Sequence, residues 1–229
     1  MLKGQKKITK HEIKEDKLVT TYFEAQGWIE NNKRLMSYIV GVPIALILLG
    51  WFYTEKRSDW NDTASAQLAK ILPYYEQGRY QESINGVPQE GAQGLTMIVD
   101  EYGSTKSGEI ARFYLANSYF NLGNYDKALE NYKSVDLSDN LLSASVYAGI
   151  AACYENKGDH AEAASYYEKA AFKHMKPSLA PENLFNAAAN YAAAGKKEKA
   201  VELLKTLKKE FPNSNLARDV DRYIASFAS

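Results

Sequence analysis

Cysteine is almost missing from this chain: Cys153 is the only one in 229 residues, so no intramolecular disulfide framework exists. Histidine is nearly as scarce. His11, His160 and His174 lie far apart, with no spacing that would hold a metal ion, and no metal or other cofactor is expected. Net charge is missing as well, with 28 basic against 28 acidic side chains and no basic stripe, which argues against a nucleic-acid partner. No nucleophile elbow or phosphate-binding loop occurs, and Gly86, Gly91 and Gly94 do not have the spacing of one. Asp100 and Glu101 are adjacent, and a helix points adjacent side chains apart, so they read as a solvated face. Cys153 occupies a small-residue position and reads as packing. With no reactive constellation, the chain is expected not to be an enzyme.

Long apolar runs are missing too, with one exception. Met36 to Tyr53, MSYIVGVPIALILLGWFY, carries no formal charge. As an α-helix it spans roughly 27 Å, close to the apolar thickness of a bilayer. Residues 35–54 are therefore expected to form a single transmembrane helix, with Pro43 tolerated inside it. Residues 1–34 carry eight basic and five acidic side chains, whereas residues 54–229 carry 20 and 23. Basic flanks stay in the cytoplasm, so the amino terminus is expected inside and the rest outside, although Lys56 and Arg57 oppose the bias. Trp51, Tyr53 and Trp60 would mark the outer interface, and Trp28 and Tyr38 the inner one. A cleaved signal peptide is the rival reading. Against it stand the long charged leader and the bulky Trp51-Phe52-Tyr53, where a peptidase needs small residues; Ala64-Ser65-Ala66 has the right form but lies too far on.

The remainder is repetitive. Arg112–Val135, Tyr147–Ala170 and Leu184–Leu207 align on Gly123, Gly158 and Gly195, at spacings of 35 and 37 residues. Equivalent positions are Leu115, Ile150 and Ala187; Ala116, Ala151 and Ala188; Tyr119, Tyr154 and Tyr191; and Ala128, Ala163 and Ala200. A period of this length signals stacked helical hairpins. Alanines on both helices allow close approach, the tyrosine fills the space beside them, and the glycine ends the first helix. Pro212 stops the third unit. These residues resemble tetratricopeptide repeats, apart from Lys197 at the place of Tyr125 and Arg112 at an aromatic position. The resemblance implies an all-α solenoid.

Flanking pieces extend the array. Ala64–Ile84 repeats the relation of Tyr74, Gly78 and Tyr80, and is followed by a glycine- and proline-containing loop, 85–94, and a helix near 95–102. Asn213–Phe227 places Leu216, Val220, Tyr223, Ile224 and Phe227 on one face, as a capping helix does. The expected order is a cytoplasmic tail, 1–34; a membrane helix, 35–54; and a repeat domain, 62–229. That domain divides into a degenerate repeat, 64–103, repeats 109–142, 144–177 and 181–212, and a cap, 213–227. In the tail, Thr9 and Glu12 form a capping box for a helix carrying Val19, Tyr22, Phe23, Gln26 and Ile29, which reads equally as a partner-docking helix or a solvated stalk.

Arrays of this kind bind protein segments along a concave surface lined by the first helix of each hairpin. By register, the groove would be lined by Phe113, Asn117, Phe120 and Asn121; by Ala148, Ala152, Glu155 and Asn156; and by Phe185, Ala189 and Ala192. Such a lining suits an apolar helix or an extended peptide, unless the domain's own tail fills it. A lysine-and-asparagine clamp for a terminal carboxylate is not expected, because Phe113 and Gly149 occupy its positions. The order of parts resembles the ancillary subunit family of the bacterial Sec translocon. That resemblance implies a non-enzymatic scaffold on the periplasmic side of the inner membrane, with translocon or chaperone partners. An envelope-assembly scaffold and a regulator signalling through the tail remain as alternatives.

Overall fold

The structure, a computed structural model, describes residues 10–136, 140–174 and 179–228, and divides into two units, Met1–Arg57 and Ser58–Ser229. The expected cap at Thr9 lies outside the described residues. In the first unit, helix α1 is Lys10–Asn31, and Tyr22, Phe23 and Trp28 on it are exposed. Helix α2, Lys33–Glu76, begins there and has 44 residues. Its apolar side chains between Leu35 and Tyr53 lie in the open, and it is the one helix among the described residues long and apolar enough to cross a membrane.

The sequence reading separated an apolar helix, 35–54, from the start of the repeats. The chain makes no such break. No glycine or proline falls between Gly50 and Pro73, and the Thr54 and Thr63 hydroxyls donate back to the carbonyls of Trp51, at 2.8 Å, and Asp59, at 2.9 Å. Nothing interrupts the hydrogen-bond ladder, so helix continues.

In the second unit, the end of α2 pairs with α3, Tyr80–Asn85. A two-stranded ribbon follows, β1 Gly86–Val87 and β2 Ala92–Gln93, joined by a 3₁₀ turn at Pro88–Glu90. After it comes α4, Leu95–Tyr102. Three hairpins succeed it: α5 Lys106–Asn121 with α6 Tyr125–Lys133, α7 Asn140–Asn156 with α8 His160–His174, and α9 Ala180–Ala193 with α10 Lys197–Glu210. The expected single cap is two helices, α11 Asn215–Arg218 and α12 Val220–Ala228, which turn at Asp219.

The recurring tyrosine and glycine have one backbone cause. Gly78, Gly123, Gly158 and Gly195 all have φ between 74° and 80°. The amide after each glycine donates to the carbonyl of the tyrosine four residues before it, at 2.8–2.9 Å: Arg79 to Tyr74, Asn124 to Tyr119, Asp159 to Tyr154 and Lys196 to Tyr191. This is the Schellman closure, which satisfies the last carbonyls of a helix and needs a left-handed residue.

The alanines meet at the hairpin contacts. Ala116, Ala151 and Ala188 on the first helices and Ala128, Ala163 and Ala200 on the second are wholly buried. Along the three hairpins each helix packs mainly on its neighbours in sequence, while α3 packs also on α5 and α12 on α10, and the core runs as three clusters. The first joins α2 to α5 through Ile71, Leu95 and Ile98; the second centres on Tyr132, Val146 and Cys153; the third is built on Leu184, Leu203, Leu204 and Leu207. Tyr119 packs on the first and second clusters, and Tyr166 on the second and third.

Candidate peptide-binding groove

A concave groove of about 350 Å³ opens across the three hairpins. Asn117 and Phe120, from the last turns of α5, form one end. The middle of α7 supplies a floor of Ala144, Ala148 and Ala152, with Ser145 and Gly149 beside them. Leu179 and the first turns of α9 close the other end with Glu182, Asn183 and Asn186. Tyr132 of α6 and Tyr167 of α8 reach the groove from behind.

Both rings are held in place. The Tyr132 hydroxyl donates to Asn117 Oδ1, and the ring lies against Gly149, where an added Cβ would come within 2.7 Å of Tyr132 Cε1. Glycine inside α7 costs helix stability, and this ring is what its missing side chain accommodates. The Tyr167 hydroxyl donates to Glu155 at 2.8 Å. Glu155 also accepts from Asn190 Nδ2 at 3.1 Å, and Asn190 Oδ1 lies 2.8 Å from His160 Nδ1. A partly buried polar line thus runs from Tyr167 through Glu155 of α7 and Asn190 of α9 to His160 at the start of α8.

Of the residues expected to line the groove, Asn117, Phe120, Ala148 and Ala152 do so together. The others lie elsewhere. Phe113 packs in the second core cluster, 6.0 Å from the Tyr132 ring. Asn121 and Asn156 are exposed, each donating to the carbonyl one turn back, Asn117 at 2.8 Å and Ala152 at 2.9 Å. Glu155 stands behind Tyr167, and Phe185 packs on Tyr223 of α12, 4.6 Å between rings. Ala189 and Ala192 are half-buried on the later turns of α9. The reading by register missed Tyr132, Tyr167, Glu182, Asn183 and Asn186. It assumed one register for all repeats, whereas the groove moves about one helical turn toward the amino end with each hairpin, as a superhelical array requires.

Burial governs titration here. The Tyr132 and Tyr167 phenols are pushed well above their ordinary value of 10, chiefly by burial, and Tyr167 further by its bond to Glu155. Burial, then a 2.8 Å bond to Glu168, pushes the Tyr191 phenol up to about 12. The folded state holds these protons more tightly than the unfolded one. Their contribution to stability is therefore full below pH 10 and is lost as pH rises toward 12. In an alkaline titration these three phenols are expected to ionise together with the loss of helical circular dichroism. Phenolate absorbance complete before any helix is lost would contradict this. Burial likewise raises the Cys153 thiol to about 12, which keeps it inert at neutral pH.

Comparison with known proteins agrees with the helical-hairpin fold. Residues 113–180 and residues 182–214 each match a family model described as tetratricopeptide repeat. No curated protein matches the chain. Among solved structures, the fold is similar to the nearly identical TPR-like repeats of a Podosopora anserina chain assigned as a kinesin light chain, with a TM-score of 0.55 and 19% identity over 71% of this chain and 83% of that one. The chain is an all-helical solenoid, and residues 113–180 and 182–214 of it are tetratricopeptide repeats.

Proposed function

We propose that this protein is a single-pass membrane scaffold whose repeat domain holds polypeptide segments on the outer side of a bacterial inner membrane. The groove across three hairpins carries the reading, because an open lining of alanine, aromatic and amide side chains suits a polypeptide. The membrane assignment rests on the exposed apolar stretch of α2, and the orientation on the basic excess of residues 1–34. The order of tail, anchor and repeats, like that of ancillary translocon subunits, favours translocating chains or periplasmic chaperones as partners. The role proposed is holding: among the described residues that line the groove there is no cysteine, histidine or lysine.

Protease added to spheroplasts is expected to digest the repeat domain and leave a membrane-embedded fragment containing residues 35–54. A photocrosslinker in place of Phe120 is expected to capture translocon subunits or emerging chains. A repeat domain protected from external protease would overturn the orientation, and with it the translocon reading.

A further inference from the structure

We infer that one edge of the repeat domain, where the first helix of each hairpin begins, lies against the lipid headgroups of the membrane that residues 35–54 would span; this rests on the single-pass reading above. The edge can be traced through hydrogen bonds. From Ser58 on, α2 is the first helix of the degenerate repeat, and Asn61 Oδ1 on it accepts from the Ser107 amide at the start of α5, at 3.0 Å. One hairpin further, the Asp136 amide ahead of α7 donates to Glu109 Oε2 of α5 at 2.9 Å. Helix α8 runs back beside α7 and ends at His174, and α9 begins at Ala180. The beginnings of successive first helices therefore share one side of the array.

Exposed apolar side chains gather there. Among the described residues of the second unit, the large hydrophobic side chains left exposed are Trp60, Met97, Ile110, Leu122, Phe172 and Leu179. Trp60, Ile110, Phe172 and Leu179 belong to this edge, whereas Leu122 follows the last turn of α5 at the opposite one. Exposed apolar residues scattered singly are ordinary, but a row along one edge marks a contact. Chain length chooses the occupant. Trp60 follows Tyr53, the last residue of the uncharged stretch, by seven positions, about 10 Å along a helix, and a headgroup layer is itself about 5–8 Å deep. The surface nearest this edge is therefore lipid, whose boundary tryptophan favours. Exposed Lys106 and Lys173 are offset by exposed Asp136 and Glu182, so the contact is apolar and not an attraction to acidic lipids. Leu179 also closes one end of the groove, and that end would open at headgroup level.

The test uses the full-length protein in phosphatidylcholine nanodiscs. A fluorescent nitrobenzoxadiazole label is attached in turn through Leu46→Cys, Ile110→Cys, Leu122→Cys or Phe172→Cys, Cys153 being buried and unreactive. Leu122 and Phe172 are nearly equally exposed, at 46% and 44%, so they compare the two edges directly. With nitroxide-bearing lipids, labels at 110 and 172 are expected to be quenched about twofold or more, and the label at 122 hardly at all, with no change at high salt. Phe172→Asp combined with Leu179→Asp is expected to abolish the quenching at 110. Quenching at 46 with none at 110 and 172 would overturn the inference and leave the anchor standing. Equal quenching at 122 and 172 would overturn it too, as would quenching at 110 that disappears in salt or survives the double substitution. No quenching at 46 would overturn the single-pass reading and the inference with it.

Discussion

Gly108→Ala is expected to lower the melting temperature of the repeat domain by about 6–12 °C, corresponding to about 3 kcal/mol in a domain of this size. The sign runs against the general rule, because alanine in a helix is normally worth about 1 kcal/mol more than glycine. Gly108 lies in the first turn of α5, and a Cβ there would overlap the Tyr102 carbonyl oxygen and crowd Gly103. That carbonyl is not free to move. It accepts from the Thr105 amide at 2.9 Å and from the Thr105 hydroxyl at 2.8 Å, while the same hydroxyl accepts from the Gly108 amide at 3.0 Å. Relieving the overlap therefore pulls apart the cap of α5 as well as the α4–α5 turn, adding a cap loss to an overpacking cost. The comparison is Gly123→Ala, which meets nothing within 4 Å but has φ of 74°. It should cost only about 1–2 kcal/mol. Thermal circular dichroism of the two variants checks the order, and a Gly108→Ala protein as stable as wild type would contradict the packing described.

Ala148→Trp is expected to reduce polypeptide capture at least about tenfold, measured as crosslinking yield from position 120 in membranes. Ala148 lies mid-floor in the groove, half-buried on α7. An indole there takes up space a ligand side chain would need, and a partner group displaced from a buried contact commonly costs more than 1.4 kcal/mol, a factor of ten. Because the side chain grows into open groove, the melting temperature should change far less than in Gly108→Ala. Undiminished capture by a folded Ala148→Trp protein would move the binding surface away from α7.

The repeats were legible in the sequence because backbone closure demands particular residues. A Schellman turn needs glycine, and helices in close approach need alanine, so Gly78, Gly123, Gly158 and Gly195 and the buried alanine pairs stood out by identity alone. The groove was less legible. Phe185 and Ala148 hold equivalent positions, each ten residues before its repeat's glycine, yet one packs against Tyr223 of the cap and the other lines the groove. Register within a repeat is local, whereas the stagger between repeats is a property of the stacked array and leaves no mark on any single residue. The continuity of α2 was hidden for a different reason. A change in hydropathy near residue 54 suggests a boundary, but hydropathy decides what surrounds a helix and backbone chemistry decides where it stops.

Tyr119 is shared between the first and second core clusters, and Tyr166 between the second and third. Mechanically, such a chain is three packets in series with an aromatic ring bridging each seam. Tension along it is taken up packet by packet, so the array yields in steps, as a spring does. The groove draws its walls from the two packets joined at Tyr166. A load that opens that seam would release whatever the groove holds before the rest of the array comes apart.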